Sequence, residues 1–232
     1  MRTPWPASTG QLRRRPGSKM KTRDLVTRLA ADLRPVEPGA VARRIERALL
    51  TGFAGSVALL VALYGIRSDM PEVILATRFW ARLAFPLSLI VAAIKLTERL
   101  GRPGAPVRMA WIAAALPVLT MLLAGGGVLL ATPPGYRLQL MLGTSGWLAA
   151  ANVVLLSLPP LATAMRALKG LAPTRLALAG AGAGLLAGAQ GLLVLSLYGA
   201  DLSLSFWGIG YALAIVLTTA IGAALAPGYL RW

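Results

Sequence analysis

The chain has 232 residues, 56% of them hydrophobic and only 14% charged, with a mean hydropathy of +0.67. That excludes an ordinary soluble domain and indicates a polytopic membrane protein. A formal net charge of +16 comes with no Cys and no His, which excludes disulfides, thiolate metal sites, thiol switches and the usual catalytic base.

Residues 1–19 contain Pro, Ser and Arg13-Arg14-Arg15 without hydrophobic periodicity and read as a disordered extension. No apolar core within them suits a secretory signal, and Met20 is a second candidate start. Residues 20–48 read as a cytoplasmic arm. Within it Thr22 can cap a helix, Asp24 sits in the first turn where the dipole favours an anion, and Pro35 ends the run. At about 100° per residue, Leu25, Val26, Leu29, Ala30 and Leu33 share one arc of about 140°. Arg23, Asp24, Thr27, Arg28, Asp32 and Arg34 fall outside it. The pattern predicts an amphipathic helix of about three turns, too short to be stable alone in water. Its apolar face needs a cover: a partner protein, the membrane surface or the rest of the chain. Pro38-Gly39 separates this helix from Val41–Ala48, whose Arg43, Arg44 and Arg47 mark the expected cytoplasmic edge of the first span.

Residues 49–232 read as an all-α transmembrane domain of six helices, over Leu49–Ile66, Phe79–Thr97, Met109–Ala131, Ser145–Met165, Leu176–Tyr198 and Phe206–Ala226. The second stretch is the weakest, because Arg82 lies near its start and Lys95 near its end; both can snorkel. With Arg82 and Lys95 counted in the connections they snorkel toward, Lys and Arg number 12 before the first stretch, then 3, 4, 1, 3, 0 and 1 in the connections and tail that follow. The rich segments alternate with the poor ones, which places both termini in the cytoplasm. The basic arm lacks interleaved aromatics, so direct nucleic-acid binding is not inferred from it.

In the fifth stretch Gly180, Gly184 and Gly188 fall on one face and predict close helix packing, within the chain or, as the lesser reading, in a homodimer. Pro86, Pro117 and Pro159-Pro160 interrupt the second, third and fourth stretches. Asn152 and Gln190 suit interhelical hydrogen bonds. No carboxylate lies in a span interior, and no phosphate-binding loop, nucleophile elbow or metalloprotease motif occurs, so no enzyme activity, cofactor or metal site is expected. From the residues alone, a small transporter or channel and a scaffold whose basic arm binds anionic lipid both stay open.

Several segments stand out together: Met20-Lys21-Thr22-Arg23-Asp24-Leu25, Leu29-Ala30-Ala31-Asp32-Leu33-Arg34-Pro35-Val36, Arg78-Phe79-Trp80, Leu158-Pro159-Pro160, the Gly- and Ala-rich fifth stretch, Phe206-Trp207 and Leu230-Arg231-Trp232. With them the chain resembles one family, the six-span membrane anti-sigma factors of the NrsF type (negative regulator of sigma F) of proteobacteria. Their order and spacing carry the resemblance. It implies a membrane protein that holds an extracytoplasmic-function sigma factor away from RNA polymerase. It also implies that the sigma-facing segment is Asp24 to Val36, with Asp24, Leu25, Val26, Leu29, Ala30, Asp32, Leu33, Pro35 and Val36 as contact residues, and it supports Met20 as the functional start. One departure concerns signalling. Members of the family commonly carry a His-Cys pair at the outer end of span five, where this chain has Tyr198 and Gly199. A further family cysteine near the outer end of span four is missing too, so thiol-based sensing by that route is closed.

Overall fold

A computed structural model of the chain describes residues 39–66, 77–101, 106–135, 144–171, 173–198 and 204–231, with Thr22, Val26 and Leu75 besides. The chain forms two units, Met1–Pro38 and Gly39–Trp232. In the first unit Thr22 and Val26 are helical and exposed. Asp24, Leu25, Leu29, Ala30, Asp32, Leu33, Pro35 and Val36 lie outside the described residues.

The described residues of the second unit form α-helices in the order α1 Ala40–Tyr64, α2 Thr77–Leu100, α3 Arg108–Ala131, α4 Thr144–Leu156, α5 Leu158–Lys169, α6 Leu176–Tyr198 and α7 Leu204–Tyr229. Each expected apolar stretch falls in one helix, except the first, which runs two residues past the end of α1, and the fourth, which is divided between α4 and α5. Five runs among the described residues are long and apolar enough to cross a membrane: α1, α3, Leu148–Lys169 across the α4–α5 break, α6, and Gly210–Tyr229 of α7. At 24 residues α2 matches them in length, but Arg82, Lys95, Glu98 and Arg99 make it more polar.

The bundle is arranged around α6. This helix is almost entirely Gly, Ala and Leu, and every residue from Ala179 to Leu192 is buried. Between helices in lipid there is no hydrophobic driving force, so association rests on close van der Waals packing, which small residues permit. Gly180 and Gly184 face the backbone of α7, and Gly188 faces its Thr218 side chain. A Cβ on Gly180 would overlap the Gly222 carbonyl, one on Gly184 the Thr218 carbonyl, and one on Gly188 the Thr218 hydroxyl. The glycine face is therefore spent within the chain, and a homodimer cannot use it. On its other sides α6 is covered by α2, whose Thr97 hydroxyl donates to Gly182 O at 3.3 Å and whose Leu100 lies against Gly182, and by α1, α4 and α5. The remaining helix, α3, sits at the edge against α2 and α7 and leaves Ile112, Leu116, Leu119 and Leu123 exposed.

The basic stretch Val41–Ala48 and the first apolar stretch form one continuous helix. Gly39 precedes it at φ +85°, and Gly65 ends it at φ +74°, with its N–H on the Val61 carbonyl at 2.9 Å. Both angles are left-handed, where glycine carries no Cβ penalty. Twenty-five residues make a rod of about 37 Å, longer than the hydrocarbon core of about 30 Å. The excess is the arginine-bearing start.

The prolines behave differently from one another. Pro86 and Pro117, expected to interrupt their helices, lie inside continuous α2 and α3. Pro159-Pro160 does break the fourth stretch, at Ser157 between α4 and α5. Pro160 lacks the N–H that would bond the Leu156 carbonyl one turn back. Ser56 of α1 replaces it: its buried hydroxyl donates to Leu156 O. The break seats itself in a notch of α1, where a Cβ on Gly52 would lie 2.7 Å from both Pro160 Cα and Thr163 Oγ1, and one on Gly55 2.9 Å from Pro159 Cβ.

Candidate functional site

Of the expected sigma-facing residues only Val26 is described; it is helical and 58% exposed. The bundle itself begins at Gly39, and its sequence explains how α1 is held there. Ile45 is 2% exposed, packed in the core. The Arg44 Nη1 donates to the Gly170 carbonyl at 2.8 Å, just past the end of α5. Thr163 Oγ1 donates to Ala48 O at 2.9 Å, and Gln190 Nε2 to Leu49 O at 2.8 Å. Three side chains thus tie the first turns of α1 to α5 and α6. The Gln190 bond is the interhelical role expected of it; Asn152 is half-buried on α4.

Charge is segregated along the bundle. Gly101, at the end of α2, sits against Val41 and Leu171. Arg99 Nη1 reaches the Pro106 carbonyl at 3.2 Å, before α3. Lys169 Nζ lies 4.9 Å over the Tyr229 ring near the end of α7, a cation–π arrangement. These contacts gather the start of α1, the end of α2, the α5–α6 turn and the end of α7 at one end of the bundle. Arg43, Arg44, Arg47, Arg166, Lys169 and Arg175 all belong to that end. At the opposite end the Tyr64 and Tyr198 rings are 5.3 Å apart, and the Tyr198 hydroxyl donates to Tyr64 O at 3.1 Å. Tyr198 therefore clips the far ends of α1 and α6 together. Arg82, expected to snorkel, is half-buried on α2, with its guanidinium in electrostatic reach of the buried Tyr211 side chain of α7.

Among the described residues no three His, Cys, Asp or Glu side chains gather where they could hold a metal ion. What sequence reasoning missed is the donor set Ser56, Thr163 and Arg44. The proline pair signals that carbonyls near Leu156 lose a donor, but nothing in the sequence names a serine 100 residues upstream as the replacement.

These features define the class: an all-α protein, several of whose helices can cross a membrane. The chain belongs to the family described as "Negative regulator of sigma F", or NrsF, whose profile matches residues 29–232. It is 37% identical over 213 residues to the "Probable anti-sigma-F factor NrsF" of Azospira oryzae, covering 92% of this chain and all of that protein. It is 34% identical over 217 residues to the "Anti-sigma-F factor NrsF" of Caulobacter vibrioides, again covering 92% of this chain and all of the relative. No solved structure matches significantly. The family is regulatory and not enzymatic.

Proposed function

We propose that this protein is a bacterial inner-membrane anti-sigma factor. It spans the bilayer six times with both termini in the cytoplasm, and it sequesters an extracytoplasmic-function sigma factor through residues 20–48. The family match carries the reading, together with an amphipathic run ahead of the basic end of the bundle. The contact residues are Asp24, Leu25, Val26, Leu29, Ala30, Asp32, Leu33, Pro35 and Val36. In support of six spans, α2 is long enough to be the sixth and buries Leu89, Ala93 and Leu96 in the bundle. A transporter would instead collect polar side chains around a common cavity. Here Ser56, Thr97, Thr163 and Gln190 each donate to a backbone carbonyl of another helix.

Two measurements test this. Reporter fusions after Ser203 and after Trp232 should read outside and inside respectively; a periplasm-only reporter active at Trp232 would overturn the topology. The cognate sigma factor should co-purify with the full chain and with a chain lacking residues 1–19, and be lost when residues 1–36 are removed. Retention by the longer deletion would remove the arm from the binding site.

A further inference from the structure

The bundle leaves a cleft that the anti-sigma reading does not use. It runs between α5 and α7, has a volume of about 340 Å³, and is lined by Leu158, Leu161, Ala162, Met165, Leu225 and Tyr229, with Arg166 at one end. The lining is apolar along its length and turns cationic at its mouth. Arg166 and Lys169 lie one turn apart on α5, both exposed, and the contact between Lys169 and Tyr229 holds the second cation beside α7. From Ser157 to Trp232 the only carboxylate side chain is Asp201, in the α6–α7 connection.

The dimensions suit one leaflet. Leu158 and Arg166 are eight residues apart, about 12 Å along a helix. Half of a hydrocarbon core of about 30 Å is about 15 Å. With Arg166 at the headgroup level, the Pro-Pro break beside Leu158 falls near the bilayer midplane. A volume of 340 Å³ is too small for a whole phospholipid and accommodates part of one acyl chain. A phosphate at the mouth would meet two cations, the arrangement by which basic clefts between membrane helices recognise anionic headgroups.

We propose that the α5–α7 cleft binds an anionic phospholipid of the cytoplasmic leaflet, one acyl chain lying between Leu161 and Leu225 and the phosphate held by Arg166 and Lys169. The proposal rests on the membrane-spanning part of the proposed function and not on sigma binding.

The test is a titration of delipidated, detergent-purified full-length protein with phosphatidylglycerol and with phosphatidylcholine, read by native mass spectrometry. Wild type should bind phosphatidylglycerol at least about tenfold more tightly than the zwitterionic lipid, from about 1 kcal/mol per basic residue near the headgroup. Arg166→Gln/Lys169→Gln should remove that preference. Ala162→Trp should weaken both lipids by filling the cleft while leaving every charge in place. Arg47→Gln, on the same end but on α1, should leave binding unchanged. Equal phosphatidylglycerol binding by the double variant would overturn the proposal. So would an equal loss in Arg47→Gln, which would mean diffuse surface charge, and so would displacement of the bound lipid by millimolar inorganic phosphate alone. Failure of the parent reading shows differently: wild-type chain would then wash out of membranes in carbonate, before any lipid is added.

Discussion

Gly184→Ala should cripple the bundle, although it adds one methyl group. A Cβ at Gly184 overlaps the Thr218 carbonyl and comes within 2.9 Å of Thr219 Cα. Those are backbone atoms and cannot rotate aside, so α6 and α7 must separate. Separation also disturbs Gly180 against Gly222 and Gly188 against Thr218, because the three glycines share one face. Overpacking a well-packed core costs about 1 to 3 kcal/mol where side chains can yield; a backbone collision on the central helix belongs at or above the top of that range. Gly127→Ala supplies the contrast. Gly127 is exposed inside α3, and a Cβ there meets nothing within 4 Å. Alanine should be neutral or stabilise α3 by up to about 1 kcal/mol. Thermal unfolding in detergent, followed by size-exclusion chromatography of the soluble fraction, separates the two. Equal melting temperatures for Gly184→Ala and wild type would mean that α6 and α7 are not in backbone contact.

The glycine spacing shows how far the sequence reaches. A repeat of four on an apolar helix announces a close approach, and the sequence alone suffices for that. It does not say what approaches. Gly222 and Thr218 on α7 became the partners through a register set by the whole bundle. The prolines teach the same lesson from the other side. Each removes one N–H, and Pro86 and Pro117 are absorbed within their helices. Two in succession remove adjacent donors and add two ring clashes, so Pro159-Pro160 breaks its helix. That break is stable because Ser56 and the Gly52–Gly55 notch meet it from a distant part of the chain. The apolar stretches and the charge asymmetry were legible because composition and length alone decide them. The long-range donors were not, since a buried serine looks the same in sequence whether or not it has a task. The arm is the converse case: its periodicity predicts a helix of about three turns, and so short a helix depends on whatever covers it.

That dependence on a cover makes the arm the place where small changes should have large functional effects. On the proposed reading, Leu25, Leu29 and Leu33 recur every four residues and meet the sigma factor, with Val26 widening the face. Truncating a buried Leu to Ala costs about 2 to 5 kcal/mol in a well-packed site, and about 1.4 kcal/mol corresponds to a factor of ten in affinity. Leu29→Ala should therefore weaken sigma binding about tenfold or more. The pair Leu25→Ala/Leu29→Ala should abolish co-purification, although two residues one turn apart need not add. Membrane insertion should be unchanged, since the substitutions precede Gly39, where the bundle begins. If the arm instead lay on anionic lipid, its cations would dominate. Arg23→Gln/Arg28→Gln/Arg34→Gln would then release it, with a strong dependence on salt, and the leucine pair would matter less. Comparing sigma-factor recovery for the two variants at low and high salt decides between them. Wild-type recovery with the leucine pair would remove this face from the interface, whatever the arginine variant does.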